Sequence, residues 1–250
     1  MKRAIWVLTV LWMTVVSGMQ AASPDYKAAA FTLYLNGDMA QWTEIIDKIS
    51  ALPEWKSDDR QLEILTYYYG LVGHLLDKKR KYDAERELTK AMNLADRLYK
   101  KMPDNALLLG LMANFTGFQI ALSPLKATTL AKGMLSKAKQ SVALAPDDPY
   151  VNILYSNILF YMPSVFGGSK EKALAGYRKA RQYMESHAGY TQDNWMYVQL
   201  LASIGLVEEK NENYAAARQI YQKILRMYPE HHHVKNVAYP RVTQKIQERK

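Results

Sequence analysis

The stretch Tyr214-Ala215-Ala216-Ala217-Arg218-Gln219-Ile220-Tyr221-Gln222-Lys223-Ile224-Leu225, followed by Pro229, decides the fold class. Ala217, Tyr221 and Ile224 stand four and three positions apart, on one face of a helix. The small residue admits a neighbouring helix closely, the tyrosine fills the groove beside it, and the proline ends the run. The same spacing recurs upstream as Ala173, Tyr177 and Ala180, as Ala131, Leu135 and Ala138, and as Ala84, Leu88 and Ala91. A faint copy, Ala40, Glu44 and Asp47, has lost its apolar partners. The anchor alanines step along the chain by 44, 47, 42 and 44 residues, which is the signature of an internal repeat.

Between these second helices lie first-helix segments, expected over Tyr26–Asn36, Asp59–Asp77, Asn105–Leu122, Pro149–Tyr161 and Asn194–Glu209. Their boundaries carry recognisable chemistry. Asn36-Gly37-Asp38 is a turn, Ser57-Asp58-Asp59 offers N-caps, and Pro103-Asp104-Asn105 and Pro146-Asp147-Asp148-Pro149 each stop one helix and cap the next. No alternating strand pattern bounded by turn residues occurs. The fold class expected is all-α.

The hairpin with Gly205, Tyr214, Ala217, Tyr221 and Pro229 resembles a tetratricopeptide repeat (TPR), best over Leu201 to Pro229 and more loosely over Ala84–Pro103 and Ala131–Pro146. The run Tyr161-Met162-Pro163-Ser164-Val165-Phe166-Gly167-Gly168-Ser169-Lys170-Glu171-Lys172-Ala173, with Asn194-Trp195 later, is similar to exported bacterial repeat proteins. That group includes the periplasmic T-component associated with TRAP transporters, whose lipobox cysteine this chain lacks. The resemblance covers roughly residues 24–230. It implies a right-handed α-solenoid of about five TPR-like hairpins, with first helices lining a concave face and each hairpin burying its stripe against its neighbours.

Residues 1–22 read differently. Lys2 and Arg3 precede the uncharged run Ala4 to Val16, and small residues follow before Pro24. This is the pattern of a secretory signal peptide cleaved near Ala22; the apolar run is short for a membrane span. The expected organisation is a signal peptide (1–22), a repeat domain (24–233), and a basic C-terminal tail or partial capping helix (234–250) with Val242 and Ile246 at helical spacing. Export to the periplasm follows. The 250-residue chain contains no cysteine and carries a net charge of +9, which remains positive without Lys2 and Arg3. For an exported protein that charge points to an acidic protein or anionic headgroups rather than nucleic acid. The Lys78-Lys79-Arg80-Lys81 run reads as a solvated turn.

Candidate chemistry is sparse. Pro163, Phe166, Gly167, Gly168 and Ser169 read as a structural loop, with Ser169 as N-cap, the glycines turning the chain and Phe166 plugging the core; the spacing is not that of a P-loop. His231-His232-His233 reads as a polar loop after Pro229. No convergent nucleophile, base and stabiliser is visible, so neither an enzyme nor a cofactor or metal is expected. Successive tyrosines on a helix turn about 100° apart, so Tyr67, Tyr68 and Tyr69 cannot share one buried stripe. First-helix aromatic and amide residues of related repeats bind ligands in the concave face. On that resemblance the groove candidates are Tyr67, Tyr68, Asn114, Phe118, Asn152, Tyr155 and Asn157. The expected function is a scaffold binding a peptide or protein through this face. The alternative is a small-ligand accessory of a transport system, which requires an enclosed cavity.

Overall fold

The computed structural model describes residues 25–249; residues 1–22, expected as a signal peptide, lie outside them. Among the described residues the chain is all-α, with eleven α-helices and no strand. Five antiparallel hairpins follow one another: α1 (Tyr26–Asn36) with α2 (Trp42–Ala51), α3 (Asp58–Asp77) with α4 (Lys81–Tyr99), α5 (Ala106–Leu122) with α6 (Ala127–Leu144), α7 (Pro149–Tyr161) with α8 (Lys170–Ser186), and α9 (Trp195–Lys210) with α10 (Tyr214–Met227). A π-turn over Val234–Ala238 leads into α11 (Tyr239–Gln247), which packs on α10. Helix packing is consistent with a helical repeat: partners within the second to fifth hairpins pack closely, and α3, α5 and α7 lie side by side.

Every first helix opens on a side-chain cap. Asp25, Ser57, Asn105, Asp148 and Asn194 accept from the backbone N–H groups of Ala28, Arg60, Leu108, Val151 and Met196. Each cap satisfies a donor that the helix leaves orphaned and contributes about 1 kcal/mol. The second helices follow tight turns instead, except α8, where Ser169 accepts from Lys172 N–H at 3.2 Å.

The repeat anchors Ala84, Leu88, Ala91, Ala173, Tyr177, Ala180, Ala217, Tyr221 and Ile224 are all buried. Three expectations are corrected. In α2 the buried face is Trp42, Ile45, Ile46 and Ile49; Ala40, Glu44 and Asp47 are not its stripe. In α6 the buried positions are Met134, Ala138 and Ser141, with Ala131 and Leu135 only half-buried. Phe166 does not plug the core: a 3₁₀ turn over Ser164–Phe166 carries its ring out to 54% exposure. The half-buried Met162 fills the space beneath, packed on Ala113, Met134, Ala138 and Ile158. Residues 234–247 form helix rather than a loose tail, and Val234, Ala238 and Val242 are buried.

The first hairpin docks on the fifth. Trp42 is fully buried, its indole edge-on to Trp195 with ring centroids 5.1 Å apart, and its Nε1–H donates to the Ala30 carbonyl at 2.9 Å. Gly70 of α3 makes this possible, because a Cβ there would strike both indoles. Phe31 meets Tyr228 edge-on at 5.2 Å, and Tyr34 meets Trp195 at 6.1 Å.

Candidate functional site

Docking the two ends encloses the centre of the first-helix face. The result is a cleft of about 290 Å³, walled by Tyr34, Tyr69, Phe118 and Trp195, with His74, His231 and Tyr161 among its other lining residues. Tyr69 is the centrepiece. Phe118 stacks on it at 5.7 Å and 17°, and Trp195 leans against it at 6.3 Å. Asn157 donates from Nδ2 to the Tyr69 hydroxyl and accepts from the Tyr177 hydroxyl. Burial raises the Tyr69 pKa, so its O–H stays protonated. Among the described residues no protein group accepts that proton.

The sequence-derived candidates divide. Phe118 lines the cleft and Asn157 orients Tyr69 from behind. Tyr67 is buried edge-on against Trp42 at 5.5 Å. Tyr68 borders a different hollow, of about 420 Å³, between Trp55 and Arg97. Asn114 spends its amide donors on the Gly110 and Leu154 carbonyls, and Asn152 spends its own on Pro146 and Asp148. Asn114 thus ties α5 to α7, and Asn152 ties α7 to the turn that precedes it. Tyr155 packs against the small cluster at Met134. Of the structural-loop residues, Pro163 starts the 3₁₀ turn, Gly167 takes φ +97°, and Gly168 and Ser169 lead into α8.

Sequence reasoning missed Tyr69 itself, and with it Tyr34, His74, Trp195 and His231, as members of one site. The histidine run is not simply a polar loop: helix begins at His232, and His231 is 3% exposed. The His231 ring stands edge-on to Tyr34 at 5.3 Å, with Nε2 3.4 Å from the tyrosine hydroxyl. His232 covers Gly37. Arg241 is held by both oxygens of Glu209 at 2.9 and 3.0 Å, and Tyr221 donates to the same carboxylate. Among the described residues no three His, Asp or Glu side chains converge as a metal site.

Burial lowers the His231 pKa from 6.5 to about 4, helped by the neighbouring His233. His74 and His233 shift the same way, also chiefly through burial. The fold therefore favours neutral imidazole. That contribution is complete above pH 6.5 and is lost as pH falls toward 4. The urea-unfolding free energy should drop by about 2 kcal/mol from His231 between pH ~7.5 and pH ~5, a window above most carboxylate titrations. His231→Phe should flatten this slope; an unchanged slope would assign it to other groups.

No family model and no curated protein matches the chain. Among solved structures it is similar to the HusA haemophore from Porphyromonas gingivalis. The alignment covers 74% of this chain and 90% of HusA, with a TM-score of 0.55 and 18% identity. The likeness is one of fold. Among the described residues no helix is long and apolar enough to cross a membrane.

Proposed function

We propose that this chain is an exported binding protein that takes up a flat, largely apolar small ligand in the first-helix cleft, beside the junction of its first and fifth hairpins. The observation that carries this reading is the docking of the two ends, which turns the first-helix face into a recess walled by four aromatic rings. Sites of this kind are concave and mostly apolar, with few polar groups that set orientation. An extended peptide finds less support, because Tyr69, Phe118 and Trp195 occupy the middle of the track it would follow. Binding rather than catalysis fits the lining, whose Arg241 is spent on a structural pair with Glu209. Export rests on the pattern of residues 1–22, and passing the ligand to a transport system remains part of the proposal.

HusA is a haemophore, so a porphyrin is the first probe. The recess would hold part of such a ring, with its rim at the mouth near Lys78 and Tyr161. Titration with haemin or protoporphyrin should quench tryptophan fluorescence saturably. Phe118→Ala should weaken binding at least ~10-fold, a loss of about 1.4 kcal/mol, while Tyr155→Ala should leave it unchanged. Absence of binding by porphyrins and smaller flat aromatics, together with saturable peptide binding, would overturn the reading.

A further inference from the structure

Because α3, α5 and α7 lie side by side, with Tyr69, Phe118 and Asn157 meeting in their later halves, the turns that end them share one edge of the molecule. These are the α3–α4, α5–α6 and α7–α8 turns. That edge carries large apolar side chains held out in water: Leu125 at 91% exposure, Val165 at 83%, Tyr82 at 80%, Tyr161 at 73% and Phe166 at 54%. Elsewhere among the described residues the exposed large apolar side chains, Leu144, Met227 and Val237, reach 47% at most. Single exposed apolar residues need no explanation, but a set gathered on one edge marks an interaction surface.

The same turns are basic. Lys78, Lys79, Lys81, Lys126, Lys170 and Lys172 are exposed, and among the described residues none pairs with a carboxylate. Arg80 is the exception, held by Asp83 at 2.7 Å. Unpaired lysines alternating with protruding Leu, Val, Phe and Tyr side chains match a bilayer interface. There ammonium groups meet anionic headgroups, aromatic rings favour the headgroup level, and short apolar tips reach the acyl boundary. The apolar groups stand on separate turn tips, a plan that suits a broad, deformable, negatively charged surface better than a protein ridge.

We propose that this edge docks the protein on the surface of an anionic lipid bilayer, with the lysines among the headgroups and Leu125, Val165 and Phe166 inserted between them. The proposal is independent of the ligand reading, although Lys78 and Tyr161 also line the cleft and would place its mouth toward the lipid.

The test is co-sedimentation with vesicles of phosphatidylcholine alone or mixed with phosphatidylglycerol. The protein used is a chain starting at Ser23, which keeps every described helix and drops the apolar leader. Binding is expected to the mixed vesicles only, weaker as salt rises. The triple variant L125S/V165S/F166S should bind at least ~10-fold more weakly, with an unchanged circular dichroism spectrum. The quadruple variant K78Q/K79Q/K126Q/K170Q should lose the preference for anionic lipid. Equal binding to neutral vesicles, no binding at low salt, or a triple variant as tight as the parent would overturn the proposal. Tight capture by soluble polyglutamate with no vesicle binding would overturn it in favour of an acidic protein partner.

Discussion

Replacing Trp42 with alanine should lower the unfolding free energy by about 3–5 kcal/mol, the range for deleting a fully buried large aromatic side chain. The indole is enclosed on every side. It meets Tyr67 and Trp195 edge-on, fills the space that Gly70 leaves, and donates to the Ala30 carbonyl. Removing it opens a cavity where three helices of different hairpins meet, and those helices cannot collapse without abandoning their own contacts. Trp55 provides the comparison. It is only half-buried and lies under the Arg60 guanidinium at 5.2 Å, so Trp55→Ala should cost less than about 1.5 kcal/mol. Urea unfolding followed by far-ultraviolet circular dichroism measures both. Equal losses for the two variants would mean that the first hairpin does not dock on the fifth.

Gly168→Ala should cost about 2–3 kcal/mol, near the upper end for overpacking a well-filled site. A Cβ at this position would overlap the Met162 carbonyl oxygen and press on its carbon. That obstacle is backbone, and rotating a side chain cannot relieve it. The chain must move, and with it go two hydrogen bonds: Ser169 N–H to the Leu159 carbonyl at 2.8 Å, and the Ser169 cap of α8. Ser169→Ala removes only the cap and should cost about 1 kcal/mol. The ordering of the two variants carries the test. A Gly168→Ala loss no larger than that of Ser169→Ala would show that the loop relaxes freely.

The contrast between what the residues announced and what they concealed has a physical basis. The first helices were legible because their signals are local: Asp148 followed by Pro149, or Asn105 after Pro103, caps and stops helices whatever surrounds them. The stripe of α2 was misread for the opposite reason. The repeat pattern calls for a small residue where helices approach, but here Trp42 is large and the small partner is Gly70, on another helix. Phe166 was assigned to the core on apolarity alone, and the short turn that lifts it out depends on loop geometry. The cleft was hidden most deeply. Phe118 is legible from its first-helix position, but Tyr34, Trp195 and His231, which share its cleft, come from both ends of the chain. No periodicity relates residues 165 to 197 positions apart, as in the Tyr34–Gln199 and Tyr34–His231 contacts.

The docking of the ends also governs how the molecule is made and how it can change. In an open repeat array each unit answers only to its neighbours, so units can fold one at a time and be added or lost in evolution. Here the last hairpin must arrive before the first can bury Phe31, Tyr34 and Trp42. The chain therefore stays incomplete, with apolar surface uncovered, until nearly all of it has emerged. Inserting or deleting one hairpin would also pull the two ends out of register with each other. The repeat number is consequently locked, and the protein should melt as one cooperative body rather than fray from its termini.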